Sequence, residues 1–281
     1  MFGIFVAEHA GACFGVERAL RLVEDQLAAG KAVSTLGPLI HNTRVVSSLE
    51  QRGVRVVSKV DEVEAGSTLV LRTHGVAPKV ERRCRERGLD VVDATCPYVK
   101  RVHNAARRMK AAGYDVVVAG EHGHAEVEAT AAQVTGTRVV ADADEARRID
   151  AQRVALVCQT TLAASTLEAI AGALAATRET LHVQNTICSA TSERQQAAAD
   201  LSARVDVMIV LGGLGSANTR HLAEVSSACG TPCHHVEDAS DIERSWFEGV
   251  SSAGLTAGAS TPRDHITEAT ERLIELGGRL A

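Results

Sequence analysis

The chain has 281 residues and a formal net charge of −5, with 30 Lys and Arg against 35 Asp and Glu. That length suits about two domains and a large core, while the mild acidity and short basic runs argue against nucleic acid or an anionic membrane as partner. No apolar run approaches the ~18 residues of a membrane span, and Met1-Phe2-Gly3-Ile4-Phe5-Val6 lacks a positive flank, so a soluble cytoplasmic protein is expected, with its seven cysteines reduced rather than paired.

Helical and strand patterns alternate along the chain, which predicts an α/β protein. Cys13 precedes a helix with Val16, Ala19, Leu20, Val23 and Leu27 on one face, stopped by Gly30. A strand leads to Ile40-His41-Asn42, then come a helix to Gly53, a strand at 54–57, an acidic turn at Asp61-Glu62, and a strand at 68–71 ending in Thr73-His74-Gly75-Val76. A strand at 89–92 runs into Asp93-Ala94-Thr95-Cys96-Pro97, where proline marks the first position of a helix. The order then repeats. The Cys96 helix stops at Gly113, and a strand at 115–118 leads to Gly123-His124-Ala125-Glu126. A strand at 137–140, an acidic turn at Asp144-Glu145 and a strand at 154–157 follow, ending in Gln159-Thr160-Thr161. From Cys188 a polar helix precedes a strand at 206–210, which ends in Gly212-Gly213-Leu214-Gly215-Ser216-Ala217-Asn218. A helix to Gly230, a strand through Val236, an acidic turn at 238–241 and Gly258-Ala259-Ser260 complete the third copy.

The register is close: His41, His124 and Ser216 each lie 28 residues after Cys13, Cys96 and Cys188, and a fixed period marks a repeated structural unit. His74, Thr160 and Ser260 lie 61, 64 and 72 residues after the same cysteines, a difference that loops absorb. The reading is three similar α/β domains, residues 1–95, 96–183 and 184–281, in a pseudo-threefold trefoil. Loops at the carboxyl ends of parallel strands are where ligands bind in open α/β sheets, so the nine landmarks are expected to converge on one cavity.

Three domains that each bring one cysteine to a shared axis make a three-thiolate metal site with an open position. Spacing alone leaves zinc and an iron–sulfur cube both open, and a vacant metal position can act as a Lewis acid on a substrate oxygen. Cys84 and Cys158 read as buried packing residues. Cys229, Cys233 and His234-His235 look superficially like a zinc motif, but the repeat aligns them with Arg55-Val56-Val57 and Arg138-Val139-Val140, so they read as helix-end and strand residues. His9, His103, His182, His221 and His265 read as structural; His122 stays undecided.

The assembled motifs resemble the LytB family, reductases acting on 4-hydroxy-3-methylbut-2-enyl diphosphate at the end of the methylerythritol phosphate route to isoprenoids. They are Ala12-Cys13-Phe14-Gly15-Val16, Ile40-His41-Asn42, Thr73-His74-Gly75-Val76, Asp93-Ala94-Thr95-Cys96-Pro97, Gly123-His124-Ala125-Glu126-Val127-Glu128, Gln159-Thr160-Thr161, Ile187-Cys188 and Gly258-Ala259-Ser260. The resemblance runs nearly end to end, and the ordered set is specific where one motif is weak. It implies one [4Fe-4S] cluster per chain held by Cys13, Cys96 and Cys188. The implied reaction is a two-electron, two-proton reductive dehydroxylation at the open iron, giving isopentenyl and dimethylallyl diphosphates, with a ferredoxin or flavodoxin as electron donor.

The polar residues suit that chemistry. Loss of an allylic hydroxyl needs a proton; Glu126 is the candidate donor and Thr160 the relay, with His124 beside them. His41, His74, His124, Thr160, Ser216, Ala217, Asn218 and Ser260 form the candidate substrate site, with helix N-termini assisting the diphosphate. One departure stands out: Ser216-Ala217-Asn218 replaces the family's common Ser-Ser-Asn, and Leu214 stands where a lysine or polar residue is frequent. The alternatives are a related reductase of another allylic phosphorylated alcohol and a non-enzymatic iron–sulfur sensor of an anion.

Overall fold

Runs of valine, isoleucine and small aliphatics that are apolar on both faces form parallel strands covered on each side. A computed structural model describes residues 1–281. Its strands are β1 (Phe2–Val6), β2 (Val33–Leu36), β3 (Arg55–Val57), β4 (Thr68–Leu71), β5 (Asp90–Asp93), β6 (Asp115–Ala119), β7 (Arg138–Val140), β8 (Arg153–Cys158), β9 (Thr180–Val183), β10 (Val207–Leu211), β11 (Cys233–Val236), β12 (Ser252–Ala257) and β13 (Gly278–Leu280). They form three sheets, ordered β3-β2-β4-β5, β7-β6-β8-β9 and β11-β10-β12-β1-β13, and every pairing is parallel. The alternating α/β class and the three similar sheets agree with the repeat in the sequence.

The chain divides into two compact units. One comprises Met1–Phe14, His41–Arg44 and Ser189–Ala281; the other comprises Gly15–Ile40 and Val45–Cys188. The first unit contains the five-stranded sheet, with a core of Ile4, Ile209, Leu211, Ile242, Leu255 and Leu273. The second contains both four-stranded sheets, with separate cores around Leu69 and Leu71, Leu156, Ile170 and Leu174, and Val102, Val116 and Val118. No helix is long and apolar enough to cross a membrane.

The N-terminal segment corrects the expected division at residues 1–95. β1 pairs with β12 and β13, not with the sheet of β2 to β5. The physical reason lies in the repeated order. β5 and β9 are each the fourth strand of their sheet and each lead into a cysteine and a helix. β1 occupies the same place beside β12 and leads into Cys13. The structural unit is therefore strand–cysteine–helix, and the third sheet takes its fourth strand from the start of the chain.

Ile4 is completely buried on β1. Ile4→Ala is expected to cost about 2–5 kcal/mol by cavity formation. Hydrogen exchange should then show lost protection in β12 and β13, with β2 and β4 unchanged; equal loss in β2 would contradict the pairing.

Candidate active site

Each of the three cysteines named from the sequence immediately precedes a helix: Phe14–Ala28, Pro97–Ala111 and Ser189–Ser202. Cys96 is the N-cap residue, with Pro97 at the first helical position. Each cysteine N–H is bonded to a carbonyl just beyond a neighbouring strand: Cys13 to Ala259 at 3.0 Å, Cys96 to Thr73 at 2.9 Å, and Cys188 to Thr160 at 3.1 Å. All three thiols are partly exposed and outside any disulfide. A helix start favours a thiolate through its unpaired N–H groups and dipole. Cys84 and Cys158 differ: both are fully buried, and burial pushes both thiols above the ordinary cysteine value.

In the second unit, His124 caps the short helix Ala125–Ala131, its side chain accepting from the Glu126 N–H. The acceptor is Nδ1, at 3.2 Å, so in the neutral ring the proton sits on Nε2. His74 meets His124 edge to face, with ring centroids 5.6 Å apart. Glu126 is buried, 3% exposed. Its Oε1 accepts the Thr160 N–H at 2.6 Å and its Oε2 lies 2.8 Å from Thr160 Oγ1. Burial is the largest influence and outweighs the two Thr160 bonds, so the carboxyl rises from its ordinary 4.5 to about 7. When protonated, it donates to Thr160 Oγ1; when ionised, it accepts from it. A proton can thus be held and passed between the two groups.

Gly120 leaves room for the residues that follow Glu126 and precede Thr160. A Cβ there would lie 2.6 Å from a Val127 methyl and 2.9 Å from Gln159 Oε1. Gln159 also accepts the Glu121 N–H at 3.0 Å and donates to Thr161 at 2.8 Å. Sequence reasoning quoted Gln159 within a motif but gave it no role; its signal was adjacency to Thr160. Exposed His122 pairs with Glu145 at 2.7 Å, which settles it as a surface contact.

In the first unit, Ser216 is the N-cap of the helix Ala217–Ala228 and its Oγ accepts the Thr219 N–H at 3.3 Å. Asn218, in that helix's first turn, is buried, and neither its Nδ2 nor its Oδ1 has a protein partner. Leaving such an amide unpaired costs about 1–3 kcal/mol per group, which marks this side chain as a candidate for a polar ligand. Ser260 Oγ donates to the His41 carbonyl at 3.0 Å, and Asn42 Nδ2 donates to the Ser260 carbonyl at 3.0 Å. Ala217 is buried, and exposed Leu214 offers no N–H, because Glu237 Oε1 accepts it at 3.0 Å.

The residues read as strand filler do form β11, but not as filler alone. His234 stacks on Trp246, with centroids 3.9 Å apart, and His235 Nε2 lies 2.9 Å from the Gly212 carbonyl.

These loops, all at the carboxyl ends of parallel strands, define the class: an α/β protein of parallel sheets with a repeated strand–cysteine–helix turn. The chain belongs to the LytB family, whose model, described as LytB protein, matches residues 4–274. It is 40% identical to the 4-hydroxy-3-methylbut-2-enyl diphosphate reductase of Aquifex aeolicus, over 98% of this chain and 97% of that one. Against the protein of the same name from Geobacter sp. (strain M21) the identity is 41%, over 96% of each chain. A solved (E)-4-hydroxy-3-methyl-but-2-enyl diphosphate reductase is similar with a TM-score of 0.72 and 40% identity, covering 98% of this chain and 100% of that one. The Plasmodium falciparum E-1-hydroxy-2-methyl-but-2-enyl-4-diphosphate reductase has a TM-score of 0.92 at 26% identity, covering 98% and 87%.

Glu126 keeps its proton to about pH 7 in the folded chain, against 4.5 ordinarily. The folded state binds more protons across that window, so this group's contribution to stability falls as pH rises through it. Glu126→Gln, which cannot ionise, is expected to gain ~3 kcal/mol on the parent between those limits. Unfolding measured against pH checks this; a pH-independent difference would contradict it.

Proposed function

We propose that this chain is an iron–sulfur oxidoreductase that converts 4-hydroxy-3-methylbut-2-enyl diphosphate to isopentenyl and dimethylallyl diphosphates. The alcohol takes up two electrons and two protons and loses its oxygen as water. The observation that carries this reading is the buried, proton-retaining Glu126 bonded to Thr160, in a chain sharing 40% identity with a reductase of that name across nearly its whole length.

Cys13, Cys96 and Cys188 suit a [4Fe-4S] cluster: they are partly exposed thiols at helix starts, in triplicate. When bound, the cluster supplies one-electron transfers and an open iron with Lewis-acid character. The chain's own residues do the rest. Thr160 Oγ holds the substrate hydroxyl and hands it the proton stored on Glu126. His124, whose Nδ1 accepts the Glu126 N–H, stands beside that acid. Ser216, Asn218 and the first N–H groups of their helix receive diphosphate oxygens. His41, His74, Ala217 and Ser260 complete the substrate site, with Ser260 steadying the backbone at His41. Electrons come from a ferredoxin or flavodoxin, in the cytoplasm.

Serine substitution at Cys13, Cys96 or Cys188 is expected to remove most of the bound iron and the visible absorption of anaerobically purified protein, while Cys84→Ser and Cys158→Ser keep both. Glu126→Gln with a full iron complement is expected to lose a factor of ~100 or more in kcat while still binding substrate. Normal iron in all three cysteine variants, or normal turnover in Glu126→Gln, would overturn the assignment.

A further inference from the structure

The loop 212–216 contains Gly212, Gly213 and Gly215. Glycine loses more conformational freedom on ordering than any other residue, so a loop of this composition holds a ligand-ready shape only if something fixes it. Three consecutive residues at the end of β11 do so. The Val236 carbonyl accepts the Gly212 N–H at 2.9 Å. His235 Nε2 lies 2.9 Å from the Gly212 carbonyl; a carbonyl only accepts, so that nitrogen carries the proton and donates. Glu237 Oε1 accepts the Leu214 N–H at 3.0 Å.

Close packing makes this hold specific. Gly212 has φ of +140°, and a Cβ on it would lie 2.5 Å from Thr261 Oγ1. A Cβ on Gly213 would lie 2.9 Å from the His41 carbonyl oxygen and 3.5 Å from Glu237 Oε1. The Ser216 N–H closes the turn on the Gly213 carbonyl at 2.9 Å. Each of these contacts leads toward Ser216 and Asn218, and neither His235 nor Glu237 is needed to touch the ligand.

We propose that His235 and Glu237 are positioning residues for diphosphate recognition. They hold the glycine loop so that the Ser216 hydroxyl, the Asn218 amide and the helix start form one phosphate-receiving surface. This rests on the reading of that surface as the diphosphate site. An aliphatic residue at 235 would maintain the strand, where His235 is in register with Val210, but would leave the Gly212 carbonyl without its side-chain donor. The effect therefore falls on affinity and not on the chemical step.

The test is calorimetric titration of inorganic pyrophosphate into the cluster-loaded enzyme, with KM and kcat measured alongside. His235→Leu is expected to weaken pyrophosphate binding and raise KM by roughly fivefold to tenfold, the equivalent of one hydrogen bond, with kcat within about twofold of the parent. His235→Gln, which can place an amide N–H near the lost Nε2–H, is expected to restore affinity. Glu237→Ala is expected to show the same KM effect and serves if His235→Leu does not fold. Asn218→Ala separates the two levels. If it loses pyrophosphate while His235→Leu and Glu237→Ala do not, the positioning role is wrong and the diphosphate site stands. If Asn218→Ala binds normally, the site reading fails and takes this proposal with it. Equal losses in His235→Leu and His235→Gln would also overturn the role given to the donor.

Discussion

The interaction on which the architecture rests is a backbone hydrogen bond made three times. The N–H of Cys13, Cys96 or Cys188 reaches the carbonyl of Ala259, Thr73 or Thr160, at 3.0, 2.9 and 3.1 Å. It ties the entry of a helix to the exit of a buried strand, and so fixes each cysteine at a helix start rather than on a free loop. The accepting positions coincide with or adjoin the landmarks Ser260, His74 and Thr160. The bond that orders the sulfur therefore also orders the residues proposed to meet a substrate. A shift of one residue on either side would change both together.

The second constraint is electrostatic. Glu126 lies almost out of reach of water, and only Thr160 favours its charged form. A carboxyl with two good hydrogen bonds is usually easy to ionise; here burial wins and the proton stays to about neutral pH. A group poised near the working pH both gives and regains a proton readily. The packing around this pair leaves no room for a side chain at Gly120, where a Cβ would meet Val127 and Gln159, the chain neighbours of Glu126 and Thr160. Packing thus sets the acid strength.

Much of this was legible in the sequence because the signals were local or periodic. The equal spacing from each cysteine to His41, His124 and Ser216 gave the repeat. Pro97 gave a helix start, and Gly30 and Gly113 gave helix stops. The partner of β1 was not legible: a short apolar run predicts a strand but not its neighbour, and β12 lies some 250 residues away in the chain. The cyclic order of strand, cysteine and helix explains the difference. His235 was legible only as part of a strand, since alignment with Val56 and Val139 conveys backbone and not the direction of a side-chain donor. Asn218 was named as a candidate from its motif, but its two unpaired amide atoms are visible only once the neighbouring side chains are placed.

The central claim is that this chain removes an allylic hydroxyl from a five-carbon diphosphate. The direct measurement is anaerobic incubation of the cluster-loaded, chemically reduced enzyme with 4-hydroxy-3-methylbut-2-enyl diphosphate, with products separated and weighed by mass spectrometry. The account predicts isopentenyl and dimethylallyl diphosphates, each lighter than the substrate by one oxygen. Unchanged substrate in the presence of a fully loaded, reduced cluster would contradict it.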